Sequence, residues 1–173
     1  MNALADMLIR HMTAADLPAV VELDQLSFSD PWSFTAWREM FEDPHAQVWI
    51  TTDGFKLVGA LAVWLVLDEL HIGTIAIHPA HQRQGLGARL LETGLRAGIA
   101  RGVAQAHLEV RKSNLPAQRL YQRFGFEIVG ERKRYYSDNR EDAVLMSVYG
   151  LGDEYVRWLE GGREIQWKPP AGS

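Results

Sequence analysis

The stretch Gln82-Arg83-Gln84-Gly85-Leu86-Gly87 lies between a strand-like run stopped by Pro79 and a long amphipathic segment. A strand, a glycine-containing loop and a helix start together make an anion site. The first-turn N–H groups of a helix have no intrahelical partner, and the helix dipole adds about half a positive charge there. Gly85 and Gly87 let main chain approach phosphate oxygens with no Cβ in the way. Arg83 and Arg89 add mobile positive charge. The loop is not a Walker A loop, because Ala88 and Arg89 stand where Lys-Ser/Thr would follow the last glycine. It is not a dinucleotide fingerprint either, because Leu90 stands where the third glycine would be. The competing reading of the same residues is a plain helix start with flexible neighbours.

A second group follows. Leu108-Glu109-Val110 sets a carboxylate in an apolar strand, at the carboxyl end where open α/β sheets place ligands. A partly buried carboxylate there suits general-base work near neutral pH. The alternative is an outward-facing residue paired with Arg111 or Lys112. Tyr121 comes twelve residues later, in a stripe Ala117, Leu120, Tyr121, Phe124 that also reads as core packing. Asn114 reads as a helix N-cap with Pro116 in the first turn.

These residues need elements to hold them. Thr13-x-x-Asp16 resembles a capping box ahead of Leu17, Val20, Val21 and Leu26 at helical spacing. Ser33 caps a second short helix with Phe34, Trp37, Met40 and Phe41. Val48 to Thr51 and Phe55 to Val66 are strands joined at Asp53-Gly54, and Leu70 to Ile77 is a third. A helix over Ala88 to Ala100 ends at Gly102, and Ala106 to Val110 is a strand. A helix spans Leu115 to Phe124, and strands run over Glu127 to Tyr136 and Ala143 to Tyr149. The order β α α β β β α β α β β implies an α/β (α+β) chain, a mixed sheet with helices on both faces. A single domain over residues 1–150 is expected. Residues 151–173 form an extension with a short helix and a frayed tail from Lys168.

Composition narrows the classes. The chain has 173 residues, 47% hydrophobic and 23% charged, which is ordinary for a globular domain. Its net charge of -4 argues against direct nucleic-acid binding through bulk charge. The absence of cysteine excludes disulfides, thiolate metal sites and a Cys acyl-enzyme. His78 and His81 flank Pro79-Ala80, but no third ligand stands at a sensible spacing, so no metal is expected. Trp32, Trp37, Trp49 and Trp64 read as core or groove wall rather than as a base-stacking platform. The N-terminus lacks the basic and apolar regions of a signal peptide. The longest apolar run, Leu57 to Leu67, is about half a membrane span, so neither a membrane partner nor a location outside the cytoplasm is expected.

In order along the chain, these motifs resemble the GNAT acetyltransferase superfamily. Gln82-x-x-Gly85-x-Gly87 is similar to its acetyl-CoA pyrophosphate motif. The likeness narrows to the ribosomal-protein-alanine N-acetyltransferases. It rests on Ile75-Ala76-Ile77-His78-Pro79, Leu108-Glu109-Val110-Arg111-x-Ser113-Asn114, Leu120-Tyr121 and Phe124-Gly125-Phe126. Tyr135-Tyr136 before Arg140-Glu141-Asp142-Ala143, and Pro31-Trp32-Ser33, also fit. Arg134 departs from the pattern, where a small or neutral residue is common.

The resemblance implies a mixed, mostly antiparallel sheet of about seven strands with four helices, splayed between strands 4 and 5 to admit a pantetheine arm. It implies acetyl-CoA as co-substrate, its pantetheine on Ile75, Ala76 and Ile77 and its pyrophosphate on Arg83, Gln84, Gly85, Leu86, Gly87 and Ala88. Asn114 helps bind it. Glu109 matches the general base and Tyr121 the general acid. Trp32, Ser33, Tyr135 and Tyr136 are candidate walls for the acceptor, the N-terminus of a protein and by resemblance a ribosomal one. The same transfer to a lysine or small-molecule amine is the second hypothesis. A non-catalytic acyl-CoA-binding module is the third, and the presence of both Glu109 and Tyr121 argues against it.

Overall fold

In the computed structural model, which describes residues 7–163 and 165–171, seven strands and five α-helices follow one another in the expected order. The strands are β1 Ile9–His11, β2 Ala46–Asp53, β3 Lys56–Val66, β4 Glu69–Ile77, β5 Gln105–Arg111, β6 Glu127–Arg132 and β7 Ala143–Tyr149. The helices are α1 Leu17–Ser27, α2 Phe34–Glu42, α3 Leu86–Ile99, α4 Leu115–Gln122 and α5 Asp153–Glu160. Short 3-10 turns at Ala14–Asp16 and Pro79–His81 complete the set. The strands hydrogen-bond in the order β1-β2-β3-β4-β5-β7-β6. β1–β2, β2–β3, β5–β7 and β6–β7 are antiparallel, and β4–β5 is parallel. The parallel ladder takes in Glu69 to Ile72 and Gln105 to Leu108, the first four residues of each strand. None of the described helices is long and apolar enough to cross a membrane.

Two compact units divide the chain: residues up to Trp64 with Gly73–Gly94, and Leu65–Ile72 with Leu95 onward. In the first, the Thr13 main-chain N–H donates to Asp16 Oδ2 at 2.8 Å, as the Thr-x-x-Asp spacing requires. Arg10 forks onto the same carboxylate at 2.7 and 2.8 Å. The Ala36 N–H donates to Ser33 Oγ at 3.1 Å and starts α2. The apolar stripes of α1 and α2 meet β2 and β3 in one core of Leu17, Val20, Leu23, Trp37, Met40, Val48, Ile50 and Ala62. Full burial of each large aliphatic chain contributes about 1.5–3 kcal/mol. A second small core joins Met7, Val58, Leu86 and Ile77. Leu86, the first residue of α3, therefore roots the glycine loop in packed side chains.

In the second unit, β5 shows the two-residue period of a strand. Ala106, Leu108 and Val110 are buried, and Gln105, His107, Glu109 and Arg111 point to the other face. Along β7, Glu109 stands opposite Leu145 and Arg111 opposite Ala143. The strand expected over Glu127 to Tyr136 ends at Arg132. Arg134 takes φ +52, and its N–H donates to Asp142 Oδ1 at 2.9 Å. That turn removes Tyr135 and Tyr136 from the ladder in spite of their strand preference. The segment after β7 carries α5, and Trp167 beyond it is buried. Residues 172–173 lie outside the described residues.

Candidate active site

The glycine loop of the first unit presents main chain. Arg83 has φ +61 and Gly85 φ +89, so left-handed residues interrupt the chain, a feature shared with anion-binding nests. A Cβ built on Gly85 would meet nothing within 4 Å, so the space beside this glycine is open. The loop's polar side chains are turned back on the chain. Gln82 Nε2 donates to the Ile77 carbonyl at 3.1 Å and Gln84 Nε2 to the Ala80 carbonyl at 3.1 Å. The Arg89 N–H donates to the Gly85 carbonyl at 3.1 Å. Leu86, Gly87 and Ala88 are thus the first turn of α3, two residues earlier than the sequence pattern suggests, and their N–H groups are the orphans of a helix start. Arg89 is anchored rather than mobile, because its Nη2 donates to the Met7 carbonyl at 3.0 Å. An exposed left-handed glycine, open space and first-turn amides fit a diphosphate.

Ile75, Ala76 and Ile77 form the last three residues of β4, with Ala76 buried. Ser27 Oγ lies 3.2 Å from the Ile77 carbonyl, with its one proton nearer the Leu23 carbonyl at 2.7 Å, and the His78 N–H donates to the Val58 carbonyl at 2.9 Å. The peptide that ends β4 is held on both sides. His78 Nδ1 accepts from the Ala80 N–H at 3.2 Å, and His81 Nε2 pairs with Asp53 at 3.1 Å. Both imidazoles thus serve the turn. No cluster of three or more metal-ligating side chains occurs among the described residues.

Trp32 and Ser33 connect α1 to α2. Ser33 is the N-cap already described, and Trp32 packs against Trp37 at 4.9 Å and Trp64 at 5.7 Å between ring centroids. The Trp32 N–H donates to Asp24 Oδ2 at 2.7 Å, and Asp24 is 1% exposed. Burial pushes the Asp24 carboxyl above its ordinary range. Gly73 of β4 makes room for the indoles: a Cβ there would come 2.4 Å from Trp64 Cζ3 and 2.9 Å from Trp32. Asp24 and Gly73 were not marked by sequence. An acid on an apolar helix face and a glycine inside a strand are the only signals they give.

In the second unit Glu109 keeps 33% of its side-chain surface exposed. Its partners are Tyr135, whose hydroxyl donates to Oε2 at 3.4 Å, and Arg132, at 3.4 Å from Oε1. Both contacts are long, so neither holds the carboxylate tightly. The expected alternative partners are engaged elsewhere. Arg111 pairs with Asp138 at 2.9 Å and Glu141 at 3.4 Å, and its guanidinium lies 3.9 Å from the Tyr136 ring centroid. Lys112 pairs with Glu131 at 3.0 Å. Tyr135 and Tyr136 meet edge to face at 5.2 Å. Burial pushes the Tyr136 phenol up to about 12, against the opposing pull of Arg111. The Tyr135 phenol is raised by burial and then by Glu109.

Tyr121 is 7% exposed on the inner face of α4, with its ring 5.8 Å from Phe126. Burial pushes its phenol well above the ordinary value of about 10, and Tyr136 adds to the effect. Tyr121 therefore keeps its proton throughout the working range. Asn114 Oδ1 accepts from the Ala117 N–H at 3.2 Å and caps α4 as expected. Gln118 ties α4 to the strand end: its Nε2 donates to the carbonyls of Arg111 at 3.1 Å and Lys112 at 3.0 Å. Gln118 and Arg132 escaped sequence reading because both look like surface residues. A carboxylate open to solvent and a phenol held neutral are a proton acceptor and a proton donor.

The family model of the GNAT acetyltransferases matches residues 17–126. The ribosomal protein bS18-alanine N-acetyltransferase of Escherichia coli (strain K12) is 37% identical over 142 residues, covering 81% of this chain and 95% of that one. Its counterpart in Salmonella typhimurium is 33% identical over 139 residues, covering 79% and 93%. Among solved structures, the ribosomal-protein-S18-alanine N-acetyltransferase from Escherichia coli superposes with a TM-score of 0.78 at 35% identity. The match covers 83% of this chain and 93% of that chain.

Proposed function

Because the chain belongs to the GNAT acetyltransferase family, we propose that it transfers the acetyl group of acetyl-CoA to the N-terminal α-amine of a protein, the alanine-starting ribosomal protein bS18, in the cytoplasm. The observation that carries this reading is the 37% identity, across 81% of the chain, to an enzyme named for that acceptor. The glycine loop supports the donor half of the reading, and the solvent-open position of Glu109 with the buried phenol of Tyr121 supports the chemical half.

Acetyl-CoA supplies the acetyl group as a thioester. The main-chain amides of Arg83, Gln84, Gly85, Leu86, Gly87 and Ala88 take its diphosphate, the ends of Ile75 and Ile77 take its pantetheine, and Asn114 assists. An α-amine has a pKa of about 7.7–8.0 and attacks only when deprotonated. Glu109 accepts that proton, directly or through one water. The freed nitrogen forms the new C–N bond at the thioester carbonyl while the Ile77 N–H donates to its oxygen. Tyr121 gives its proton to the sulfur as the C–S bond breaks. The products are an acetylated N-terminus and free CoA, and no covalent enzyme adduct is required. Trp32, Ser33, Tyr135 and Tyr136 line the path of the acceptor.

A peptide panel tests the reading. The chain is expected to acetylate a peptide that begins with the bS18 N-terminal alanine, and to leave untouched the same peptide with its α-amine blocked and a lysine included. Acetylation of the blocked, lysine-containing peptide alone would reject an α-amine acceptor.

A further inference from the structure

Residues 151–171 lie beyond the span 17–126 of the family match and bring an aromatic cluster of their own. Tyr155 of α5 is fully buried, and its hydroxyl donates to the Phe124 carbonyl at 2.7 Å. The Trp167 ring stands on Gly125, where a Cβ would come 2.8 Å from Trp167 Cβ, and Gly125 itself has φ +81. Trp167 Nε1 donates to the Tyr149 carbonyl at 2.8 Å, which fixes that indole to the end of β7. Tyr155 and Trp167 meet edge to face at 5.1 Å, and Trp158 packs on both. The Arg163 guanidinium lies 4.3 Å from the Phe124 ring centroid.

The two residues held this way, Phe124 and Gly125, belong with Phe126 to the turn that follows α4. That turn is wired to Tyr121. The N–H groups of Phe124 and Phe126 both donate to the Tyr121 carbonyl, at 2.8 and 3.2 Å. The Phe126 ring packs against the phenol ring itself. We propose that the C-terminal segment is a positioning element for Tyr121, with Tyr155 as its positioning residue and Trp167 as its support. The inference rests on the reading of Tyr121 as proton donor. A buried O–H to C=O bond fixes the height of the turn, and the turn fixes the depth of the phenol. Misplacement of a reacting group by about 1 Å can cost a hundredfold in rate, so control at this range is kinetically large.

The test is a double-mutant cycle on the full chain, with acetyl-CoA and the alanine-starting peptide. Tyr121→Phe is expected to lower kcat by about a hundredfold. Tyr155→Phe, which removes one hydroxyl and keeps the ring, is expected to lower kcat by about tenfold and to leave the acetyl-CoA KM within about twofold. The double variant is expected to fall within about twofold of Tyr121→Phe alone, because residues that act as a unit are not additive. Trp167→Phe is expected to repeat the pattern and carries the test if Tyr155→Phe does not fold, with thermal midpoints reporting the folded state. A role confined to general stability would lower kcat by the same factor in both backgrounds. That result, or an unchanged kcat in Tyr155→Phe and Trp167→Phe, overturns the inference while the proton-donor reading stands. Full activity in Tyr121→Phe overturns both.

Discussion

The proposed reaction gives the loop at residues 82–88 and the strand end at residues 109–111 different tasks, and the two regions are built by opposite means. In the loop, the groups proposed to recognise the donor belong to the main chain. Gln82 and Gln84 bend back to carbonyls of their own turn, Gly85 offers no side chain, and only Leu86 is buried, as an anchor. At the strand end nearly everything is side chain. Glu109 meets Tyr135 and Arg132, Arg111 gathers Asp138, Glu141 and Tyr136, and Gln118 binds two carbonyls. The contrast follows from the tasks. An anion is satisfied by any amide that points at it, so backbone shape suffices. Proton transfer needs a particular functional group at a particular place.

Substitutions in the two regions should therefore fail differently, and the largest effect belongs to the strand end. Glu109→Gln is expected to lower kcat/KM for the peptide by about a hundredfold to a thousandfold at neutral pH. Its affinity for CoA, measured by calorimetry, should match the parent chain. A matching loss of CoA affinity would erase the division of labour. Gly85→Ala should behave in the opposite sense. Its φ of +89 strains any residue with a Cβ, although the space beside it is open. Steady-state kinetics are expected to show an acetyl-CoA KM raised about tenfold with kcat within about threefold, and denaturation a stability loss of about 1 kcal/mol. A collapse of kcat at saturating acetyl-CoA would instead give the loop a part in the chemistry.

The smallest effect lies at Asp16, away from both regions. Arg10 is the main cause that holds its carboxyl below the ordinary carboxylate range. A folded-state pKa below the unfolded value of about 3.9 stabilises the chain fully above that value, and this begins to be lost as pH falls below it toward the lower folded-state value. Asp16→Asn is expected to lower the thermal midpoint at pH 7. The difference from the parent should shrink as pH drops toward 3, with kcat unchanged. A difference that grew on acidification would contradict the sign.

How much of this was legible in the sequence depended on whether the cause was local. The strand Ala143–Tyr149 was readable with its bounds, and so were the caps Ser33 and Asn114, because hydrophobic alternation and capping chemistry are written in neighbouring residues. Gly85 was readable because its neighbours already spell a loop before a helix. Tyr135 and Tyr136 misled, since their strand preference is real but the turn at Arg134 is set by Asp142, eight residues on. Gly73 is legible only beside Trp32 and Trp64, and Arg132 only beside Glu109. Trp167 had no periodic company, so its burial over Gly125 could be seen only in three dimensions.

The Ile77 carbonyl constrains what the end of β4 can recognise. Gln82 Nε2 already donates to that oxygen at 3.1 Å, and the Ser27 hydroxyl, whose single proton is nearer the Leu23 carbonyl at 2.7 Å, stands 3.2 Å away. A visiting N–H must therefore compete with Gln82 there, so the first residue of the glycine loop sets whether this oxygen is open to a guest.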